Sequence, residues 1–197
     1  MSVATFAAPV AAARSVRAGE IDNRAAYAGF GLAYVLGHGA AAVSYGPDPL
    51  LPLPGWLPTT LLVGGLVAGT AGAIVASTRA QRGAAPDDVT SGRLLGAAWA
   101  TAFVALFLAI TGLTTALDVP ELQSVLWPTG SGLVVGLLYL GEGAARRNVL
   151  HYALGTWLSL ISTAALFLPA AGPFVVLAVA GGGAYLLATV LEKRRLR

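Results

Sequence analysis

Gly55-Trp56-Leu57-Pro58-Thr59-Thr60 opens an apolar run that meets no charge until Arg79. Leu126-Trp127-Pro128-Thr129-Gly130-Ser131 opens another, and Arg146-Arg147 closes it. Each run has close to the ~20 residues that a helix needs to cross ~30 Å of hydrocarbon. Each starts with an amphipathic Trp, which settles at headgroup level, and ends with arginine. Trp56 and Trp127 are therefore read as interface anchors at the outer ends of two membrane-crossing helices. Pro58 and Pro128 are placed in the first turn, where proline's missing N–H costs nothing, with Thr free to cap.

The rest of the chain extends this pattern. The 197 residues are 56% hydrophobic and 11% charged, with a mean hydropathy of +0.75. A soluble domain carries about 25% charged residues, so this chain cannot cover a water-facing surface. Six apolar segments are expected, at approximately 25–45, 59–78, 94–116, 124–141, 149–168 and 173–191. The fold class is all-α, a polytopic integral membrane protein built as a six-helix transmembrane bundle. Residues 1–24 form a cytoplasmic N-terminal tail, 25–191 the transmembrane domain and 192–197 a basic cytoplasmic C-terminal tail. Positive charge follows the apolar start of the chain instead of preceding it, unlike a signal peptide.

Charge placement sets the orientation. Arg14, Arg17 and Arg24 precede the first segment; Arg79, Arg82 and Arg93 lie around the second loop; Arg146 and Arg147 lie in the fourth. Lys193, Arg194, Arg195 and Arg197 end the chain. The first, third and fifth loops hold no Lys or Arg, only Asp48, Asp118 and Glu121. In a six-span arrangement all twelve basic residues fall on one side. The positive-inside rule then puts both termini in the cytoplasm, with the protein in the cell membrane. The odd segments share a plan too, an arginine and then an aromatic: Arg24 and Tyr27, Arg93 and Trp99, Arg147 and Tyr152. Together these echoes read as three tandem helical hairpins.

Chemistry-bearing residues are few. There is no cysteine, which excludes disulfides, thiol catalysis and Cys-based metal sites. The one lysine, Lys193, is in the tail, which excludes a retinal Schiff base. Basic residues at segment ends are topology signals, not a nucleic-acid footprint. No metal motif and no cofactor are expected. His38, in Gly37-His38-Gly39, is an intramembrane ionisable residue and so a candidate site. His151 is placed at the interface. At ~1.5 Å per residue His38 lies about 20 Å along its helix, too far from the depth of His151 for the two to clamp one haem.

Glu142, in Gly141-Glu142-Gly143, is read as pairing with Arg146 one turn on, or as a proton- or ion-coupling carboxylate. Ser131 sits among glycines, as does the serine of rhomboid intramembrane proteases. The residue two before it is Thr129, however, and the sixth segment has no histidine. With no base in reach, Ser131 is a polar group without nucleophilic activation. His38, Ser131 and Glu142 are thus the candidate intramembrane polar residues.

Glycines carry the packing signal. Gly65 and Gly69 form GxxxG in the second segment, and Gly132 and Gly136 do so in the fourth. This spacing lets helix backbones touch in lipid. The functional expectation is a small transporter or channel-like protein, or a membrane subunit of a transport assembly. A non-catalytic structural subunit of a larger complex is the alternative, and an intramembrane enzyme ranks below both. Expected partners are the lipid bilayer and other membrane subunits or a second copy of the chain.

Overall fold

The computed structural model describes residues 20–82, 84–169 and 171–197. Residues 1–19 of the N-terminal tail, with Arg14 and Arg17, lie outside the described residues. Among the described residues the regular structure is entirely helical. Six helices are long and apolar enough to cross a membrane: α1 (Arg24–Ser44), α2 (Trp56–Gln81), α3 (Pro86–Ala116), α4 (Pro120–Ala145), α5 (Val149–Phe167) and α6 (Gly172–Arg195).

Two helix starts differ from the sequence expectation. α3 begins at Pro86, about two turns before residue 94. Proline occupies the first turn, and Asp87 and Asp88 complement the positive end of the helix dipole. Charged residues can therefore belong to the helix where apolar counting sees only a loop. α4 begins with a 3-10 turn at Pro120–Leu122, so Trp127-Pro128 lies inside the helix and does not open it. Pro128 gives no N–H to the carbonyl four residues back. Beside it, the Thr129 hydroxyl donates to the Val125 carbonyl at 2.7 Å, a bond within the helix and not a cap. The same holds for Thr60, whose hydroxyl donates to the Trp56 carbonyl.

α1 and α6 each contain a π-helical stretch, Ala33–His38 and Leu177–Gly181, and the two stretches pack against each other. A π turn widens the helix by one residue and shifts the faces that follow. Apolar periodicity carries no signal for it. The Ala180 carbonyl in the second stretch accepts the indole N–H of Trp157 at 3.0 Å.

The helices meet along seams of small residues. On α1, Ala26, Gly29, Ala33 and Gly37 face Gly72, Gly69, Gly65 and Leu62 of α2. A Cβ added to Gly65 would lie 2.5 Å from Ala33 Cα. On α4, Gly132, Gly136 and Gly143 face Ser162, Ser159 with Gly155, and Tyr152 of α5. The α4–α5 and α1–α2 interfaces are the most extensive, and α6 packs on α1. By contrast, α2 and α3 barely touch each other, and each is only 6% buried where α1 is 44% buried. That leaves a gap between them.

The ends of α1 and α6 are tied together. Glu192, fully buried, accepts from the Asn23 backbone N–H at 3.1 Å and from Arg195 Nε at 2.7 Å. Arg195 also donates to Glu20 at 2.7 Å and to the Ile21 carbonyl at 2.8 Å. Residues 20–24 and 192–195 therefore share one end of the bundle, called the terminal end below. Next to this clasp Arg24 pairs with Asp22 at 2.6 Å. The hydrogen bond from Arg24 holds the Asp22 carboxyl below the usual carboxylate range.

Candidate functional site

A cavity of about 990 Å³ lies between α1, α2, α3, α4 and α6. Its α2 wall is one helical face, Pro58, Thr59, Leu62, Leu66 and Thr70. Its α3 wall is Trp99, Ala100 and Phe103, across the α2–α3 gap. α4 contributes Trp127, Pro128, Ser131 and Val135, and the loop residues Leu53 and Gly55 reach the end opposite the termini. Among the described residues, no Asp, Glu, Lys or Arg lines it.

His38 and Ser131 both line this cavity. The π turn of α1 carries Tyr34 and His38 on the same wall, with the two rings edge to face at 4.9 Å. His38 is 4% exposed and makes no hydrogen bond among the described residues, so its ring nitrogens are free for a guest. Phe174 lies beside it at 6.4 Å and meets Tyr45 at a tilt, 5.1 Å apart. The other end of the cavity is closed by an aromatic layer. Tyr34 and Tyr185 meet edge to face at 5.3 Å, and Trp99 meets Tyr139 at 5.8 Å. Chemically the lining is mostly apolar, with an imidazole and hydroxyls as its polar groups.

Glu142 is not in the cavity and does not pair with Arg146, which is exposed. Its Oε1 accepts the indole N–H of Trp99 at 2.7 Å, and its Oε2 lies 3.4 Å from His151 Nε2. His151, in the first turn of α5, is buried by protein: it is 5% exposed, with its Nδ1 2.6 Å from the Tyr27 hydroxyl and its ring 4.0 Å from Tyr139. The α4–α5 turn brings the two together. Arg147 takes a left-handed conformation at φ 52°, and the Asn148 side chain caps α5 by accepting from the His151 backbone N–H at 3.1 Å. Charge attraction to Arg146, close in sequence, lost to a drier partner across the turn. Glu142, His151 and Tyr27 thus bring an acid, a histidine and a hydroxyl together. The Asn148 cap was the one legible trace of this group, since a cap at 148 sets His151 in the first turn.

The glycines Gly65, Gly69, Gly132 and Gly136 lie on the two seams described above. Trp56 is 65% exposed at the start of α2, whereas Trp127 is half-buried and packs against Phe107. Fold and cavity together define an all-helical chain with six membrane-length helices around an apolar chamber. In comparison with known proteins, the chain matches no family model, no curated protein and no solved structure.

Proposed function

We propose that this chain is a multi-pass transport protein of the cell membrane that holds an uncharged, largely apolar organic molecule in its chamber. The six helices cross the bilayer, with the terminal end in the cytoplasm and the chamber facing the outer side. The observation that carries the reading is the chamber. It is about 990 Å³ in volume, has no charged side chain in its lining among the described residues, and is flanked by an aromatic layer. Natural ligand sites fall in the range of ~300–1,000 Å³ with mostly apolar linings and a few placed polar groups. The gap between α2 and α3 would admit a guest that has partitioned into lipid. The placement of arginine at the helix ends supports the orientation.

The test is binding of N-phenyl-1-naphthylamine, a neutral apolar fluorophore, to the chain in nanodiscs. Saturable binding above that of empty nanodiscs is expected, and Ala100→Trp, which fills the chamber wall, should weaken it. Partitioning identical to empty nanodiscs would sink the reading. Stoichiometric extraction with larger subunits, coupled with no binding, would favour the structural-subunit alternative.

A further inference from the structure

Between the aromatic layer and the terminal end, the Glu142–His151 contact is a buried acid and base with one unsatisfied position. The Glu142 side chain is 18% exposed and that of His151 6%. His151 Nε2 is buried and makes no hydrogen bond, although the carboxylate stands 3.4 Å away. On the other edge of the ring, Nδ1 and the Tyr27 hydroxyl are 2.6 Å apart.

We propose that Glu142 and His151 form a proton-binding site, with Tyr27 orienting the imidazole and Trp99 sensing its occupancy. The chemistry follows from the tautomer. If Nδ1 carried the proton of a neutral ring, the Nε2 lone pair would face a carboxylate oxygen. With Tyr27 donating to Nδ1, the ring proton sits on Nε2, the nitrogen 3.4 Å from Glu142 Oε2. The pair then holds one negative charge in a largely dry setting, which is costly to maintain. Uptake of one proton from water at the terminal end makes the pair neutral overall, either as imidazolium with carboxylate or as neutral ring with carboxylic acid. No other covalent bond changes.

Among the described residues, Arg146 is the other positive charge near the pair. From α1 the pair faces Tyr27, from α3 Trp99, and from α4 Tyr139, with Arg146 a turn further on and exposed. On α5 the neighbour Tyr152 is exposed. On α6, Tyr185 packs on Tyr27 and Tyr139, and Glu192 is already held by Arg195.

Trp99 links this site to the chamber. Its ring lines the chamber while its N–H is on Glu142. A hydrogen bond to an ionised carboxylate is roughly twice as strong as a neutral one. Loading the proton, on either partner, draws charge from Glu142 Oε1 and loosens Trp99. The site lies outside the chamber and its test adds no ligand, so its failure leaves the chamber reading standing.

The test uses the full chain in nanodiscs with Trp56→Phe, Trp127→Phe and Trp157→Phe, leaving Trp99 as sole reporter. Emission is read from about pH 4 to about pH 9, a range spanning the ordinary values of Glu and His. One titration of the emission maximum is expected, and its loss in Glu142→Gln and in His151→Gln. In parallel, 15N-histidine spectra of the unmutated chain should show His151, one of two histidines, moving with the same midpoint; His38→Gln assigns the signal. This second reading needs no change at the site, so a misfolded variant cannot hide the outcome. Emission and His151 signals both fixed across the range would overturn the proposal. So would a titration that persists unchanged in both site variants.

Discussion

Glu192 has no exposed surface, yet it carries a full set of donors from Asn23 and Arg195. Truncation to Ala removes the buried acceptor of the Asn23 N–H and leaves Arg195, itself only a quarter exposed, with Glu20 and the Ile21 carbonyl alone. Breaking a fully buried pair costs about 3–5 kcal/mol; with Arg195 partly wetted, Glu192→Ala should cost about 2 kcal/mol. The unfolding midpoint in detergent measures it, and an unchanged midpoint would show that the clasp contributes nothing. Asp22 is the contrasting case. Its carboxyl is held below the usual range by Arg24, so the stabilisation is present above the unfolded value of ~3.9 and is lost as pH falls through the folded value. Because the pair is surface-exposed and screened, Asp22→Asn should cost only about 0.3 kcal/mol near neutrality. The difference from the parent should shrink as pH falls from ~3.9 and vanish below the depressed folded value, where both chains carry an uncharged side chain; a difference that persists there would refute the ionic account. Neither partnership was legible in the sequence. Arg24 and Asp22 are neighbours, but the reach of Arg195 to residues 20 and 21 depends on where two distant helix ends land.

The element scale offers a sharper test, because adjacent glycines of α2 meet different fates. A Cβ on Gly64 would meet nothing within 4 Å, whereas one on Gly65 would press on the Ala33 backbone at 2.5 Å. Gly64→Ala should therefore leave stability unchanged or raise it by up to ~1 kcal/mol through helix propensity. Gly65→Ala should lower it by ~1–3 kcal/mol through overpacking. Gly136→Leu on the α4–α5 seam should fall with Gly65→Ala, and Val67→Leu, 63% exposed, should be silent. Equal unfolding midpoints for the Gly64 and Gly65 variants would remove the α1–α2 seam as a packing determinant. The GxxxG spacing marked which residues of α2 and α4 could come close to a neighbour, since small residues at that interval let backbones approach. It did not name the neighbour. Nor did it show the π stretches of α1 and α6, which arise where two helices press together and whose residues read as ordinary apolar helix.

At the scale of the whole molecule the orientation is open to direct measurement. A reporter fused at the C-terminus should give a cytoplasmic signal, and one inserted within residues 47–55 an external one, as expected if the twelve basic residues all stay inside. A cytoplasmic signal from the 47–55 insertion would break the six-span topology. The sequence by itself determined that there are six helices of membrane length, nearly where they run, and on which side the positive charges gather. Those properties depend only on how many apolar residues follow one another and on what ends each run, so any packing of the helices satisfies them. The tertiary structure alone decided that α2 and α3 part to open a chamber, that His38 and Ser131 share its wall, and that Glu142 turns from Arg146 to His151 and Trp99. These pairings join residues as far apart as Tyr27 and His151, 124 positions along the chain. Among helices that are apolar on nearly every face, hydrophobicity does not choose which face turns inward. Close contact between glycine, serine and alanine surfaces does, and that fit exists only once the helices have met.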